Sequence, residues 1–277
     1  MVNSPQTITA EYRIDQPIAL ADLLAAQTGL AKARVKECMQ KGGVLLCRQG
    51  GKFRRARKAK TLLRPGDLVR LAYDPEILNQ EPPPPLLIAD LVHYSVWDKP
   101  AGLLAQGTQF GDHCALLRLA QLAFVPPRET FLVHRLDREA SGLMLIAHSK
   151  RAAAALSRLF QGHQVVKEYQ ITVRGVWDRG EQGSITLPLD GKEAITSYRL
   201  LGSDPLHTTS RLLVTLKTGR LHQIRRHFAL SGFPVMGDPR YGSGNKDRAG
   251  LALRAVRLAF RCPLQGKEQE FRLPLPV

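Results

Sequence analysis

Near the start of the chain, apolar residues recur three and four positions apart. Leu20, Leu23 and Leu24, a stop at Gly29, then Ala31, Val35 and Met39 predict two short helices, because residues at that spacing share one helical face. Two apolar runs follow, GVLLC (43–47) and GDLVRLAY (66–73), the second behind a Pro65–Gly66 turn. Both read as strands. Four consecutive prolines, Pro82 to Pro85, cannot continue a helix and favour a stiff extended spacer. They divide the chain into a small domain over 10–74, a Pro-rich linker over 75–86 and a larger domain over 87–277. Beyond them the period becomes two. LVHYSVWDKPAGL reads as a strand ending in a Lys-Pro-Ala-Gly turn, and GLMLIAHS, KEYQITVRGV, TTSRLLVTLKTG and LALRAVRLAF read as further strands. SKRAAAALSRLFQGHQ, capped near Ser149, and RLHQIRRHFALSG, closing at Gly232, read as helices. Strands and helices alternate without a βαβ rhythm and without an internal repeat. The expected class is α+β: a mixed, largely antiparallel sheet preceded by a small α/β domain.

Charge adds a partner. The 277 residues carry 40 Lys and Arg against 24 Asp and Glu, a net +16. The excess is concentrated: from Ala31 to Lys60 there are eleven basic residues and one acid, Glu37. Clustered along one helix and the loop after it, that charge is an electrostatic footprint for a nucleic acid, whose phosphates attract cations without any sequence readout. Lys32, Arg34, Lys36, Arg54, Arg55, Arg57 and Lys58 are the expected contacts. Cys38, Cys47, Cys114 and Cys262 are scattered with no C-x-x-C pair, which fits free thiols in a reducing cytoplasm. The N-terminal residues lack a basic patch followed by an apolar core, and no apolar run reaches the ~18 residues that a bilayer requires. No secretory signal and no membrane partner are expected.

Candidate chemistry centres on HRLDREASGLMLIA (134–147), where Arg135, Asp137, Arg138 and Glu139 run directly into a buried strand. A carboxylate at the lip of a sheet can be catalytic when a cation keeps it ionised. Arg135 and Arg138 lie nearby in sequence, and GRLHQIRRH offers Arg220, Arg225 and Arg226 as alternatives. Tyr169, between Lys167 and Arg174, offers a ring on which a base can stack. His222 and His227 are five apart rather than four, so a helical zinc pair is not expected.

Taken in order, VWDKPAG, HRLDREASGL, KEYQITVRG, GRLHQIRRH and SGFPVMGDPRYG resemble the RluA-type pseudouridine synthase family from about Val96 to the C-terminus. The basic front domain resembles RNA-binding domains of the ribosomal-protein-S-four type. Three positions depart from the family pattern: Ala140 and Leu221 stand where Thr is usual, and Arg254 stands where His is common. The resemblance implies isomerisation of uridine in RNA with no cofactor and no metal. By that resemblance Asp137 is the essential carboxylate, paired with Arg220. Tyr169 stacks on the target base, and Arg135 displaces the uridine from its stack. His134, Lys99, His222, Arg225 and Tyr241 complete the substrate contacts. The implied substrate is structured RNA, ribosomal RNA ahead of tRNA, handled by a cytoplasmic monomer. The rival expectation is an RNA-binding protein of ribosome assembly that performs no catalysis. A kinase-like reading of HRLD lacks a Gly-rich nucleotide loop and a D-F-G segment.

Overall fold

A computed structural model describes residues 6–242, 245, 247 and 249–275. Contacts divide the chain into two compact units. One comprises the chain up to Pro82 together with Gln106–Ala123; the other comprises Pro83–Ala105 and the chain from Phe124 onward.

In the first unit the two periodic stretches form α1 (Leu20–Thr28) and α2 (Lys32–Gln40). Gly29 ends α1 in the left-handed region (φ +71°), donating its N–H to the Ala25 carbonyl. An antiparallel sheet runs in the order β1 (Ile8–Arg13), β6 (Leu68–Tyr73), β3 (Val44–Cys47), β4 (Arg54–Arg55), and a small ribbon joins β2 (Ile18–Ala19) to β5 (Leu62–Leu63). Leu20, Leu24, Val35, Met39 and Val44 are completely buried between helices and sheet. Strand β1 was not expected. Its alternation is half-buried rather than fully apolar, and pairing with β6 stabilises it.

Two boundaries differ from the sequence expectation. Pro75–Leu78 is not a linker but a short helix, α3, whose N-terminal N–H groups at Glu76 and Ile77 are capped by the Asp74 carboxylate. Leu78 is buried in the core of this unit. Gln106–Ala123, which carries helix α4 (Leu116–Leu122), belongs to the first unit although it lies beyond the prolines. Ion pairing holds it there. Arg57 reaches the Asp112 carboxylate at 2.5 Å, Arg55 donates to the carbonyls of Gly42 and Thr108, and the Asp112 N–H bonds the Lys41 carbonyl.

The second unit is built on a ten-stranded sheet among the described residues. The path runs β12 (Gln182–Ile185), β13 (Thr196–Asp204), β14 (Thr209–Leu216), β11 (Val166–Arg174), β15 (Leu253–Arg261), β10 (Ser141–Ala147), β8 (Tyr94–Lys99), β7 (Leu86–Asp90). Strand β9 (Phe131–Leu132) pairs with β10, and β16 (Glu268–Arg272) pairs with β15. Val96, Leu143, Leu145 and Leu258 point to one face, where α5 (Lys150–Gln161) covers them with Ala152 and Leu156. Ser149 caps α5 by accepting the Ala152 N–H. Helix α6 (Gln223–Leu230) follows β14.

Among the described residues, all pairings in this sheet are antiparallel except one. Strand β10 runs parallel to β15 over two residue pairs, Ser141 with Arg254 and Gly142 with Ala255. This short joint lies immediately after the HRLD loop and connects the two halves of the sheet. Glycine is required there: Gly142 has φ +110°, and a Cβ on it would lie 2.2 Å from the Ala255 carbonyl oxygen. Backbone atoms cannot yield as a flexible side chain does. Gly142→Ala is therefore expected to cost about 2–3 kcal/mol, a fall in Tm of roughly 5–10 °C for a unit of this size. Gly180→Ala, also at positive φ but with nothing closer than 4.0 Å, is the control. Equal falls in thermal denaturation of the two variants would refute the joint.

Candidate active site

The HRLD loop is pinned at both ends by its own unit. At the near end, His134 stacks on Phe160 of α5 with ring centroids 4.2 Å apart, and its Nε2 accepts the Leu145 N–H of β10 at 2.9 Å. Accepting that bond requires an unprotonated Nε2. Burial and the neighbouring Lys167 cation agree with it, pushing the imidazole pKa down to about 3. At the far end, the Arg138 carbonyl accepts the Gly102 N–H at 2.8 Å, and the Arg138 side chain returns to the Gly102 carbonyl. Lys99, at the end of β8, is completely buried. Its ammonium donates to the carbonyls of Pro100, Leu103 and Arg138 at 3.0, 2.8 and 3.3 Å. His134 and Lys99, both expected to touch substrate, are thus committed to holding the loop.

Between these anchors Asp137 projects toward α6. Its Oδ2 accepts from Arg225 Nη1 at 2.8 Å. The remaining Arg225 donors grip Asp238 in bidentate fashion, Nε at 2.8 Å and Nη2 at 2.9 Å. Asp238 also accepts the N–H groups of Arg240 and Tyr241. Burial opposes both charges. The hydrogen bonds and mutual attraction outweigh it, holding the Asp238 carboxyl below its ordinary range and the Arg225 guanidinium above its own. One buried cation thereby fixes two carboxylates.

The expected partner of Asp137 was Arg220, and the structure assigns that place to Arg225. Gln223 explains the difference. Its Oε1 accepts from the Thr218 hydroxyl and the Arg220 N–H, while its Nε2 donates to the Ile195 carbonyl and Thr196 Oγ1. This folds the turn so that Arg220 Nε donates to the Glu193 carbonyl instead. A signal for Arg225 existed in the sequence. It follows Ile224 on the arc that α6 buries with His227 and Phe228, whereas Arg226 faces outward and pairs with exposed Asp190.

A pocket opens over Asp137, lined also by Tyr169, Ala140, Leu216, His222 and Leu253. Tyr169 comes from β11 and is 8% exposed. Burial, and secondarily the Asp137 charge, push its phenol pKa up, so the hydroxyl keeps its proton. His222, on the other side, places Nε2 3.6 Å from Asp137 Oδ1 and Nδ1 3.0 Å from the Tyr241 hydroxyl. Arg135 is exposed at the mouth, and among the described residues nothing holds its guanidinium. Arg254, at the position usually His, donates to Asp98 of β8 at 2.6 Å, joining the strands on either side of β10. No group of three or more His, Cys, Asp or Glu side chains among the described residues is arranged to hold a metal ion, and no helix among them is long and apolar enough to cross a membrane.

In the first unit Arg48, Lys52, Arg54 and Lys58 line a basic groove with Arg55 and Arg57. The last two, expected as nucleic-acid contacts, are engaged by Asp112 and backbone carbonyls. Lys32 pairs with Asp22 and Arg34 with Glu37. Lys36, Arg54 and Lys58 have no such partner among the described residues.

Two measurements test this frame. Asp238→Ala strands the buried Arg225 charge and is expected to cost about 3–5 kcal/mol, whereas Asp190→Ala removes an exposed pair and costs below ~1 kcal/mol. Comparable losses in denaturant titration would contradict the buried bridge. Lys99 supplies a pH signature. Burial lowers its pKa to about 8, while the unfolded chain keeps the proton up to about pH 10.4. Between those values the unfolded state binds more protons, so this residue makes stability rise with pH. Wild type should gain on Lys99→Met from pH 8 to 10, and a constant difference would count against the assignment.

Comparison with known proteins gives the family. Residues 93–230 match the family described as RNA pseudouridylate synthase. An uncharacterized RNA pseudouridine synthase of Chloroflexus aurantiacus is 35% identical over 99% of this chain and 89% of its own length. The dual-specificity RNA pseudouridine synthase RluA of Pasteurella multocida is 34% identical over 69% of this chain and 95% of its own. The ribosomal large subunit pseudouridine synthase D of Xanthomonas campestris is 31% identical over 89% and 82%. With a pinned HRLD carboxylate, a tyrosine strand and an arginine helix meeting at one pocket, and relatives alike along nearly its whole length, the chain belongs to the RluA-type family of RNA pseudouridine synthases, isomerases that act on RNA.

Proposed function

We propose that the enzyme isomerises uridines in structured RNA, with large-subunit ribosomal RNA favoured over tRNA, and that Asp137 is its essential carboxylate. The observation that carries this reading is the asymmetry of that carboxylate. Arg225 occupies Oδ2 at 2.8 Å, and Oδ1 faces the pocket without a hydrogen bond among the described residues. In the reaction the base leaves its ribose, turns and rejoins through carbon. Attack on the anomeric carbon and removal of the ribose 2′ proton both require one free, ionised carboxylate oxygen, and Oδ1 supplies it in either route.

Tyr169 offers its ring face to the target base. Its protonated hydroxyl favours stacking over a role as the base that removes the proton from carbon 5. Arg135, exposed and with no partner among the described residues, takes the space that the uridine vacates as it leaves its stack. The basic groove of the first unit, where Lys52, Arg54 and Lys58 have no ion-pair partner among the described residues, adds salt-sensitive affinity for the RNA backbone together with Lys36 on α2. A helix pair packed on a small sheet supports the likeness of that unit to the S-four type. The name of the Xanthomonas relative supports ribosomal RNA. The enzyme is taken to work as a cytoplasmic monomer.

Tritium release from RNA labelled at uridine carbon 5 tests the reading. Wild-type protein should release label from ribosomal RNA, and Asp137→Asn should fall below about one thousandth of that rate while RNA affinity changes less than ~3-fold. Release from tRNA alone would overturn the preferred substrate. Undiminished release by Asp137→Asn would remove the carboxylate from the mechanism.

A further inference from the structure

His222 stands in a backbone conformation that a side chain resists. It precedes α6 with φ +51° and ψ +32°, a left-handed geometry that L side chains rarely adopt. Buried Gln223 enforces it through its four hydrogen bonds to the flanking turn and to Ile195 and Thr196. Such strain is retained where it aims a side chain. Here it aims an imidazole between two polar partners, Tyr241 Oη at 3.0 Å from Nδ1 and Asp137 Oδ1 at 3.6 Å from Nε2.

The two distances decide where the ring proton sits. Burial lowers the His222 pKa, and the cations Arg225 and Arg240 oppose the attraction of Asp137. The ring is therefore neutral, with one N–H. Were that proton on Nδ1, the Nε2 lone pair would confront a carboxylate oxygen. With the proton on Nε2, the N–H points at the carboxylate and Nδ1 accepts the tyrosine O–H. Asp238 fixes Tyr241 in turn, since its carboxylate accepts the Tyr241 N–H at 3.0 Å. The same Asp238 orients Arg225.

We propose that Tyr241 and His222 form a positioning pair for the reactive oxygen of Asp137. The Asp137 carboxylate favours the Nε2–H tautomer, the Tyr241 hydroxyl holds the ring in place by donating to Nδ1, and the Nε2–H so placed orients Oδ1, the oxygen that Arg225 leaves free. At 3.6 Å the contact is longer than a hydrogen bond. A small approach of either group during substrate binding closes it. Asp238 then governs both oxygens of Asp137, Oδ2 through Arg225 and Oδ1 through Tyr241 and His222. This rests on the assignment of Asp137 as the reacting carboxylate. It gives His222 and Tyr241 a task other than the substrate contact expected of them.

Three variants and one spectroscopic readout test it in the full-length protein. Tyr241→Phe keeps the ring and removes only the hydroxyl. It is expected to lower kcat about 10-fold or more, as loss of an outer-shell orienting partner does, with KM within ~2-fold and Tm little changed. His222→Ala should lose at least as much. His222→Gln, with the same left-handed backbone burden but an amide N–H at the reach of Nε2, should recover most of kcat. Nitrogen NMR of the imidazole should show the Nε2–H tautomer in wild type, and in Tyr241→Phe the Nδ1 resonance should move toward that of a free unprotonated nitrogen as its hydrogen bond is lost. This readout does not depend on turnover. An Nδ1–H tautomer in wild type would overturn the proposal, as would kcat within twofold of wild type for both Tyr241→Phe and His222→Ala. If Asp137→Asn remains active while the tautomer is as stated, the carboxylate assignment fails and the orientation chain stands by itself.

Discussion

A guanidinium with almost no access to water organises the catalytic unit. Arg225 is 3% exposed, and a cation so buried is tolerable only if its desolvation is offset by partners with good geometry. It has three such bonds, two to Asp238 and one to Asp137. The arrangement is unequal in a useful way. Asp238 is itself buried and saturated with N–H donors, so it is a fixed structural anion. Asp137 shares the cation through one oxygen only and opens on the pocket. A rigid pair thus supports a carboxylate whose other oxygen remains available.

Backbone geometry delivers those charges to one point. The HRLD loop springs from β9, is tied down by the neutral ring of His134 and the ammonium of Lys99, and re-enters the sheet at the two-residue parallel joint of β10 with β15. Arg254 reaches past β10 to Asp98 beside that joint. A histidine there could not span the same distance with a full positive charge, so in this chain the departure from the family pattern reinforces the sheet next to the loop.

Much of the fold was legible in the chain's periodicity. Helices α1, α2, α5 and α6 and strands β10, β11, β14 and β15 follow apolar spacing because each buries one face. Strands β1 and β13 were not legible: their alternation is shallow, and β13 carries a register shift between Leu200 and Gly202. In the site, the ordered motifs brought out Asp137, Tyr169 and the arginine helix, but not which arginine meets the carboxylate. Motif alignment favoured Arg220, and only the helical face of Ile224 and Phe228 distinguishes Arg225 from its neighbours. The commitments of Lys99 and His134 were equally hidden, since a lysine or histidine beside a catalytic loop looks the same in sequence whether it faces substrate or backbone.

The return of Gln106–Ala123 to the first unit bears on how this protein can be divided. The chain passes between its two units three times, at Pro82–Pro83, Ala105–Gln106 and Ala123–Phe124. The proline run is therefore not the seam of a modular graft. A fragment beginning after it would carry Asp112 away from Arg57, and a fragment ending there would leave Arg57 and Arg55 without the anion that neutralises them. A fragment meant to carry the basic unit intact therefore has to include both stretches of sequence.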